Sequence, residues 1–229
     1  MPWKRKEIIG NATLYLGDCL GECRDLVRDL QADAVITDPP YGIDLHALCG
    51  TGRERVVVRD KPLDVRIVGD DQPFDPAPFL RFPKAIIWGG IHFASRLPEN
   101  RCWLIWDKRD GSTPDNQADC ELAWTNLPGP VRMWSQKWRG FARAGEENLT
   151  NGPKLHPAQK PVALLSWCIQ KAKLQPDSCI FDPYMGSASM GVSAMRAGHR
   201  YIGVEIEERY FNISCERLTN EARQERLFA

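Results

Sequence analysis

Short apolar runs recur along the whole chain and alternate with stretches whose apolar residues fall at helical spacing. That alternation restricts the fold to a mostly parallel sheet crossed over by helices. The strand candidates are Thr13 to Leu16, Ala34 to Thr37, Ala85 to Trp88, Trp103 to Trp106, Glu121 to Trp124, Cys179 to Phe181 and Tyr201 to Val204. Helices are expected at Leu20 to Leu30, Pro76 to Phe82, Val162 to Leu174, Ala188 to Ala197 and Glu207 to Leu218, with Pro161 placed to open the third of them. A chain of 229 residues with 43% hydrophobic content can bury one substantial core, so a single domain over residues 1–229 is expected. Two stretches, 42–71 and 136–155, carry charge, Gly and Asn without periodicity and are the candidate recognition loops.

The start of the chain reads Met-Pro-Trp-Lys-Arg-Lys, which is no export leader, and no apolar run approaches ~20 residues. A cytoplasmic protein without a membrane span is therefore expected. The eight cysteines include no Cys-x-x-Cys pair, the tightest spacing being Cys19 and Cys23. Buried reduced thiols are expected, with neither metal nor disulfide.

Thirty basic and thirty acidic residues cancel, which argues against a protein that coats nucleic acid indiscriminately. Local clusters differ from the average. Arg132, Lys137, Arg139 and Arg143 occur with no acid between them and are interleaved with Trp134, Trp138 and Phe141, so cations for phosphates stand beside aromatics for bases. Arg53, Arg55, Arg59 and Lys61 form a second cluster, diluted by Glu54 and Asp60. A solvated face beside core tryptophans is the alternative reading of the first cluster.

Two turns carry the chemistry. Asp38-Pro39-Pro40-Tyr41 ends the run Ala34 to Thr37 and is followed by Gly42. Proline fixes φ and lacks a donor, so the carbonyls of Asp38 and Pro39 point outward at the carboxyl edge of a strand. A carboxylate, these carbonyls and an aromatic face suit a planar amino group, and that edge is where open α/β sheets place ligands. A strand that merely stops at a Pro-Pro turn is the competing reading. Further on, Phe181-Asp182-Pro183-Tyr184-Met185-Gly186-Ser187-Ala188 leaves a strand and opens a helix without the Gly-x-Gly-x-x-Gly pattern. Small residues there admit a ligand to the backbone. Glu205 lies 23 residues beyond Asp182, at the end of the next strand, where a ribose diol is bound in nucleoside-binding α/β folds. Asp18, in Gly17-Asp18-Cys19, is read either as a helix cap or as an acceptor for an adenine amine.

Together these segments, with His156-Pro157-Ala158-Gln159-Lys160-Pro161, resemble the permuted β group of DNA amino-methyltransferases, in particular its small phage-type or solitary members. The resemblance runs from Tyr15 to about Leu218. It implies a Rossmann-like fold with helices on both faces of a seven-stranded sheet, one strand of it antiparallel, and S-adenosylmethionine as cofactor. It also implies Asp18 for the cofactor's adenine and Glu205 for its ribose, with Cys19 and Ile206 also among the cofactor-binding residues. Asp182, Gly186 and Ser187 are implied around its methionine end, with Pro183, Tyr184, Ala188 and Asp38 also among the cofactor-binding residues, and His156, Gln159 and Lys160 resemble the segment that closes over that end, Lys160 as the partner of the carboxylate. The family usually has Gly where Ala188 stands and often Phe where Tyr184 stands, so a small loss of room is expected there, with a weak cofactor binder as the alternative.

The resemblance further implies that Asp38, Pro39, Pro40 and Tyr41 act on a base flipped from duplex DNA, with Tyr41 stacking on it and Asp38 and the Pro39 carbonyl holding its amine. Asp in the first position of the motif favours N6 of adenine, with N4 of cytosine as the alternative target. A catalytically weak DNA-binding regulator, a methyltransferase of RNA or protein amides, and a dinucleotide oxidoreductase are the competing classes. Members of the group often dimerise, and a homodimer is expected.

Overall fold

The computed structural model describes residues 3–44, 57–58, 61–62, 67–112, 118–139, 142–143 and 155–228. Its main sheet has nine strands: β1 (Arg5–Ile9), β2 (Ala12–Leu16), β3 (Ala34–Thr37), β6 (Lys84–Trp88), β7 (Trp103–Asp107), β8 (Cys120–Thr125), β9 (Arg132–Ser135), β12 (Cys179–Asp182) and β13 (Arg200–Glu205). Two small ladders stand apart, β4 (Val57–Val58) with β5 (Lys61–Pro62), and β10 (Trp138–Arg139) with β11 (Ala142–Arg143). The order across the main sheet is β1-β2-β13-β12-β3-β6-β8-β7-β9. Strands β2, β13, β12, β3 and β6 are mutually parallel, whereas β1 and β8 run antiparallel to their neighbours.

The central strands are largely apolar between their ends because both of their faces are covered. Side chains alternate across the sheet, so Ile86 and Trp88 enter one core while Ala85 and Ile87 enter the other. On the first face lie α2 (Val162–Ala172), α3 (Ser189–Arg196) and α4 (Glu208–Phe228), which contribute Leu164, Cys168, Met190 and Phe211 to the core with Leu14, Ile36 and Ile180. On the second, α1 (Arg24–Asp29) adds Val27 to a core with Val35, Phe79, Phe93 and Phe181. The described cysteines are free thiols, and no described helix is long and apolar enough to cross a membrane.

All seven expected strands are present within a residue or two of their expected ends, and the Rossmann-like architecture with helices on both faces holds. The sheet exceeds the expected seven strands by β1 and β9, and two strands are antiparallel where one was expected. Both additions are edge strands, Arg-Lys-Glu-Ile-Ile and Arg-Met-Trp-Ser, whose exposure permits polar residues and leaves no apolar run to read. The helix expected over 76–82 is a single 3-10 turn at Ala77–Phe79, because Pro76 and Pro78 supply no amide donors to a longer ladder. A further 3-10 segment, Gly90–Arg96, follows β6 with no periodic signal to mark it.

The helix α3 is entered through Ala188, which is fully buried and left-handed at φ 55°, ψ 39°. An L-residue in that region costs roughly 1–2 kcal/mol, and a β-branched one more. Ala188→Val is therefore expected to destabilise by about 2 kcal/mol or more in thermal or denaturant unfolding. Ala188→Gly should stay within about 1 kcal/mol of the parent, because relief of the left-handed strain is offset by a freer unfolded chain and a lost buried methyl.

Candidate active site

The parallel strands deliver their carboxyl ends to one side of the sheet, and the turns leaving β2, β3, β6, β12 and β13 meet there. After β3, the backbone amides of Tyr41 and Gly42 both donate to Asp70 Oδ1 at 3.0 Å, with that of Ile43 at 3.4 Å. Asp70 is buried, so one carboxylate fixes the path of the whole Asp38-Pro39-Pro40-Tyr41 turn. Gly89, just past β6, has φ +73°, and a Cβ at that position would collide with the Tyr41 ring. The ring stacks on His92, centroids 5.0 Å apart and planes 16° apart.

A chain of alternating charges runs through this turn. Lys160 Nζ lies 2.6 Å from Asp38 Oδ2, 3.0 Å from Glu121 Oε2 and 3.2 Å from the Tyr41 hydroxyl, and its side chain is only 6% exposed. The Tyr41 hydroxyl donates to Asp38 Oδ1 at 2.6 Å, and Lys108 Nζ lies 2.9 Å from Glu121 Oε1. Burial raises Asp38 above the ordinary carboxylate range, against the pull of Lys160 and with a push from Glu121. Burial would also raise Glu121, but Lys160 and Lys108 hold its carboxyl down to about 2. Burial works to lower Lys160, yet the two carboxylates keep it above the usual lysine value.

The second half of the site is the turn between β12 and α3. Asp182 is buried, accepts from Thr37 Oγ1 at 2.7 Å and from the Tyr201 hydroxyl at 3.3 Å, and so ties β12 to β3 and β13. Glu205 accepts the amides of Gly186 at 2.9 Å and Glu207 at 2.8 Å. Burial pushes both Asp182 and Glu205 up to about 7. Gly186 is left-handed at φ +51°, and a Cβ there would stand 3.4 Å from the His156 ring, which packs edge-on against Tyr210 at 4.3 Å. The Gly186 carbonyl accepts from Ser214, and Arg217 donates to the Ser187 carbonyl, so α4 braces the turn from behind.

One cleft of about 1100 Å³ joins the two halves, lined by Asp18 and Cys19, by Asp38 to Tyr41, by His92, Lys108 and Glu121, by His156 to Lys160, and by Tyr184, Gly186, Glu205 and Ile206. A recess of about 50 Å³ between Asp38, Gln159, Asp182, Gly186 and Ser187 lies beside it. Residues 98–216, just over half of the chain, match a family model described as DNA methylase, the N6/N4 methyltransferases.

The chain belongs to this family of DNA methylases.

Two relatives agree with the assignment over shorter stretches. The type II methyltransferase M2.DpnII of Streptococcus pneumoniae is 42% identical over 66 residues, 29% of this chain and 24% of its own length. The Escherichia coli (strain K12) protein YubD, named as a methylase, is 38% identical over 68 residues, 30% of each chain. The chain thus spans less than a third of the length of these curated relatives. Among solved structures, the M1.HpyAVI–SAM complex is similar at TM-score 0.56 and 20% identity, covering 90% of this chain and 98% of that one. The cytosine-N4-specific PvuII DNA methyltransferase is similar at 0.58 and 15%, covering 97% and 95%. At these identities the likeness is one of fold.

Of the expected site residues, Asp18, Cys19, Asp38 to Tyr41, His156, Gln159, Lys160, Pro183, Tyr184, Gly186, Glu205 and Ile206 line the cleft, Asp182 and Ser187 line the recess beside it, and Ala188 lines neither. Lys160, expected to face a cofactor carboxylate, pairs within the protein with Asp38 and Glu121, as a buried ammonium takes the nearest buried anions. Trp138 was expected on a DNA-binding surface. It is buried, with its indole donating to the Gln159 carbonyl at 3.1 Å, because an amphipathic ring finds more contact in the core than in solvent. Asp18 Oδ1 accepts the Leu20 amide at 2.9 Å in a turn ahead of α1, whose N-cap is Cys23, so Asp18 lines the cleft and caps no helix. Arg132 and Lys137 are exposed, as a DNA contact requires, whereas Arg53, Arg55 and the side chains of Arg139 and Arg143 lie outside the described residues. Among the described residues no cluster of His, Cys, Asp or Glu is arranged to hold a metal ion. Sequence reasoning missed Asp70, His92, Lys108 and Glu121, each a solitary residue with no motif around it.

A carboxyl group raised from 3.8 to about 7 binds its proton in the folded state while the unfolded chain has released it, so its contribution to stability is full below pH 4 and declines as the pH rises towards 7. Asp182→Asn removes that decline. Stability measured at intervals from pH 4.5 to 7.5 should fall more steeply for the parent than for the variant, by a few kcal/mol at most across the window. Parallel curves would mean that Asp182 does not titrate there.

Proposed function

We propose that the chain transfers a methyl group from S-adenosylmethionine to the exocyclic amine of a base flipped out of duplex DNA, with N6 of adenine as the preferred target. The observation that carries this reading is that the Asp38-Pro39-Pro40-Tyr41 turn and the Gly186 and Glu205 turn open into the same cleft. The second turn fits the cofactor. Glu205 spends one lone pair of each oxygen on a backbone amide and a carboxylate has about four, so acceptors remain for a ribose diol. Gly186 leaves its side of the turn free of a side chain, and the recess beside it is bounded by small and polar groups. When bound, the cofactor supplies a methyl group on a positively charged sulfur.

The residues of this chain would do the rest. An exocyclic amine is a weak nucleophile because its lone pair is delocalised into the ring. The Asp38 carboxylate and the Pro39 carbonyl, accepting its two hydrogens, draw the nitrogen toward a tetrahedral arrangement and turn the lone pair to the donor. Burial raises the Asp38 carboxyl, which suits it to take the proton lost on transfer. The segment His156 to Lys160 lines the cleft and would keep water from the reacting atoms. Arg132 and Lys137 would lie against phosphates. Members of the group that the chain resembles often dimerise, and the working form proposed is a homodimer acting in the cytoplasm beside the nucleoid.

N4 of cytosine presents the same planar amine and is the second target considered, and a weakly active DNA-binding regulator is the reading that the strained Ala188 would favour. Incubation with labelled S-adenosylmethionine and plasmid DNA, followed by nucleoside mass spectrometry, reads activity and base together. N6-methyladenine is expected. Asp38→Ala should lower turnover by about 10²-fold or more, while calorimetric affinity for the cofactor changes by less than about threefold. Unchanged turnover would overturn the role of Asp38, and absence of any methylated nucleoside with the parent protein would overturn the reading.

A further inference from the structure

We propose that Glu121 is a positioning residue for methyl transfer: it shares the Lys160 ammonium with Asp38 and keeps that ammonium in place when the target amine engages the Asp38 carboxylate. The inference rests on the reading of the cleft given above and assigns a role to a residue outside its motifs.

Lys160 has three donors, and the three acceptors around it are Asp38 Oδ2, Glu121 Oε2 and the Tyr41 hydroxyl oxygen. Among the described residues it also faces the Trp88 ring on β6, 5.5 Å away, and the Tyr41 ring at 5.8 Å, and its charge acts on the Cys168 thiol of α2. No other described carboxylate lies within salt-bridge distance of its nitrogen. If Asp38 were the sole anion available, the ammonium would sit wholly on the group that must accept the amine, and arrival of the base would leave a buried cation underpaired. Glu121 prevents both. It is held on β8, where it lies in register with Trp106 of β7, so its carboxylate is fixed by the sheet and not by a loop. Lys108 occupies its other oxygen at 2.9 Å. Asp38, Lys160, Glu121 and Lys108 thus alternate in sign with no net charge, and the amine meets a carboxylate whose counter-ion is anchored elsewhere.

The test is the pH profile of turnover for two variants, with labelled S-adenosylmethionine and plasmid DNA. Glu121→Gln keeps the shape and removes the charge. Turnover should fall about tenfold or more. Both limbs of the profile should move to lower pH, because Glu121 raises Asp38 and Lys160 alike. Cofactor affinity by calorimetry should stay within about twofold, and Glu121→Asp should recover part of the rate. Lys108→Met removes the opposite charge from a partly exposed position and should move both limbs to higher pH. A merely structural Glu121 would lower turnover without displacing either limb, and that result, or a parental rate in Glu121→Gln, overturns the proposal. If Glu121→Gln does not fold, unmoved limbs in Lys108→Met overturn it. A parent protein that methylates no DNA would sink the underlying reading, and this inference with it.

Discussion

The buried ammonium of Lys160 is the interaction on which the site depends. It reaches Asp38 at the end of β3 and Glu121 on β8, so it joins three parts of the chain that are far apart in sequence. Removing one partner of such a pair typically costs about 3–5 kcal/mol, because the other charge is left buried and uncompensated. The same groups that would perform chemistry therefore also hold the cleft in shape, and Tyr41, bonded to Asp38 and stacked on His92, is fixed by them.

The parallel sheet makes the meeting possible. Strands β2, β13, β12, β3 and β6 end on one side, and the residues at or just beyond those ends are Gly17 and Asp18, Glu205, Asp182, Asp38 and Gly89. Two buried carboxylates then do different structural work. Asp182 links three adjacent strands through hydroxyl groups, whereas Glu205 accepts backbone amides and shapes the turn at Gly186. Asp70 does the corresponding work for the turn after β3.

What was legible in the sequence follows from how far each signal reaches along the chain. The apolar runs Ala34 to Thr37 and Cys179 to Phe181 are visible because central parallel strands are buried on both faces, while the polar edge strands β1 and β9 carry no such mark. The two turns were legible as compact local motifs. Lys160 was legible as a charge in the site but not as the partner of Asp38, which lies 122 positions away in the sequence. Glu121, Lys108, Asp70 and His92 take their meaning only from neighbours supplied by the folded chain. Trp138 reads as a base-stacking aromatic from its basic surroundings, yet tertiary packing claims it for the core.

A crystal structure of the protein with a demethylated cofactor product and duplex DNA would examine the arrangement most directly. The expected result is an unstacked base whose exocyclic nitrogen lies within hydrogen-bond distance of the Asp38 carboxylate and the Pro39 carbonyl, with Lys160 still on Glu121. A base left in the helix, or an ammonium that has abandoned Glu121 for Asp38, would contradict it.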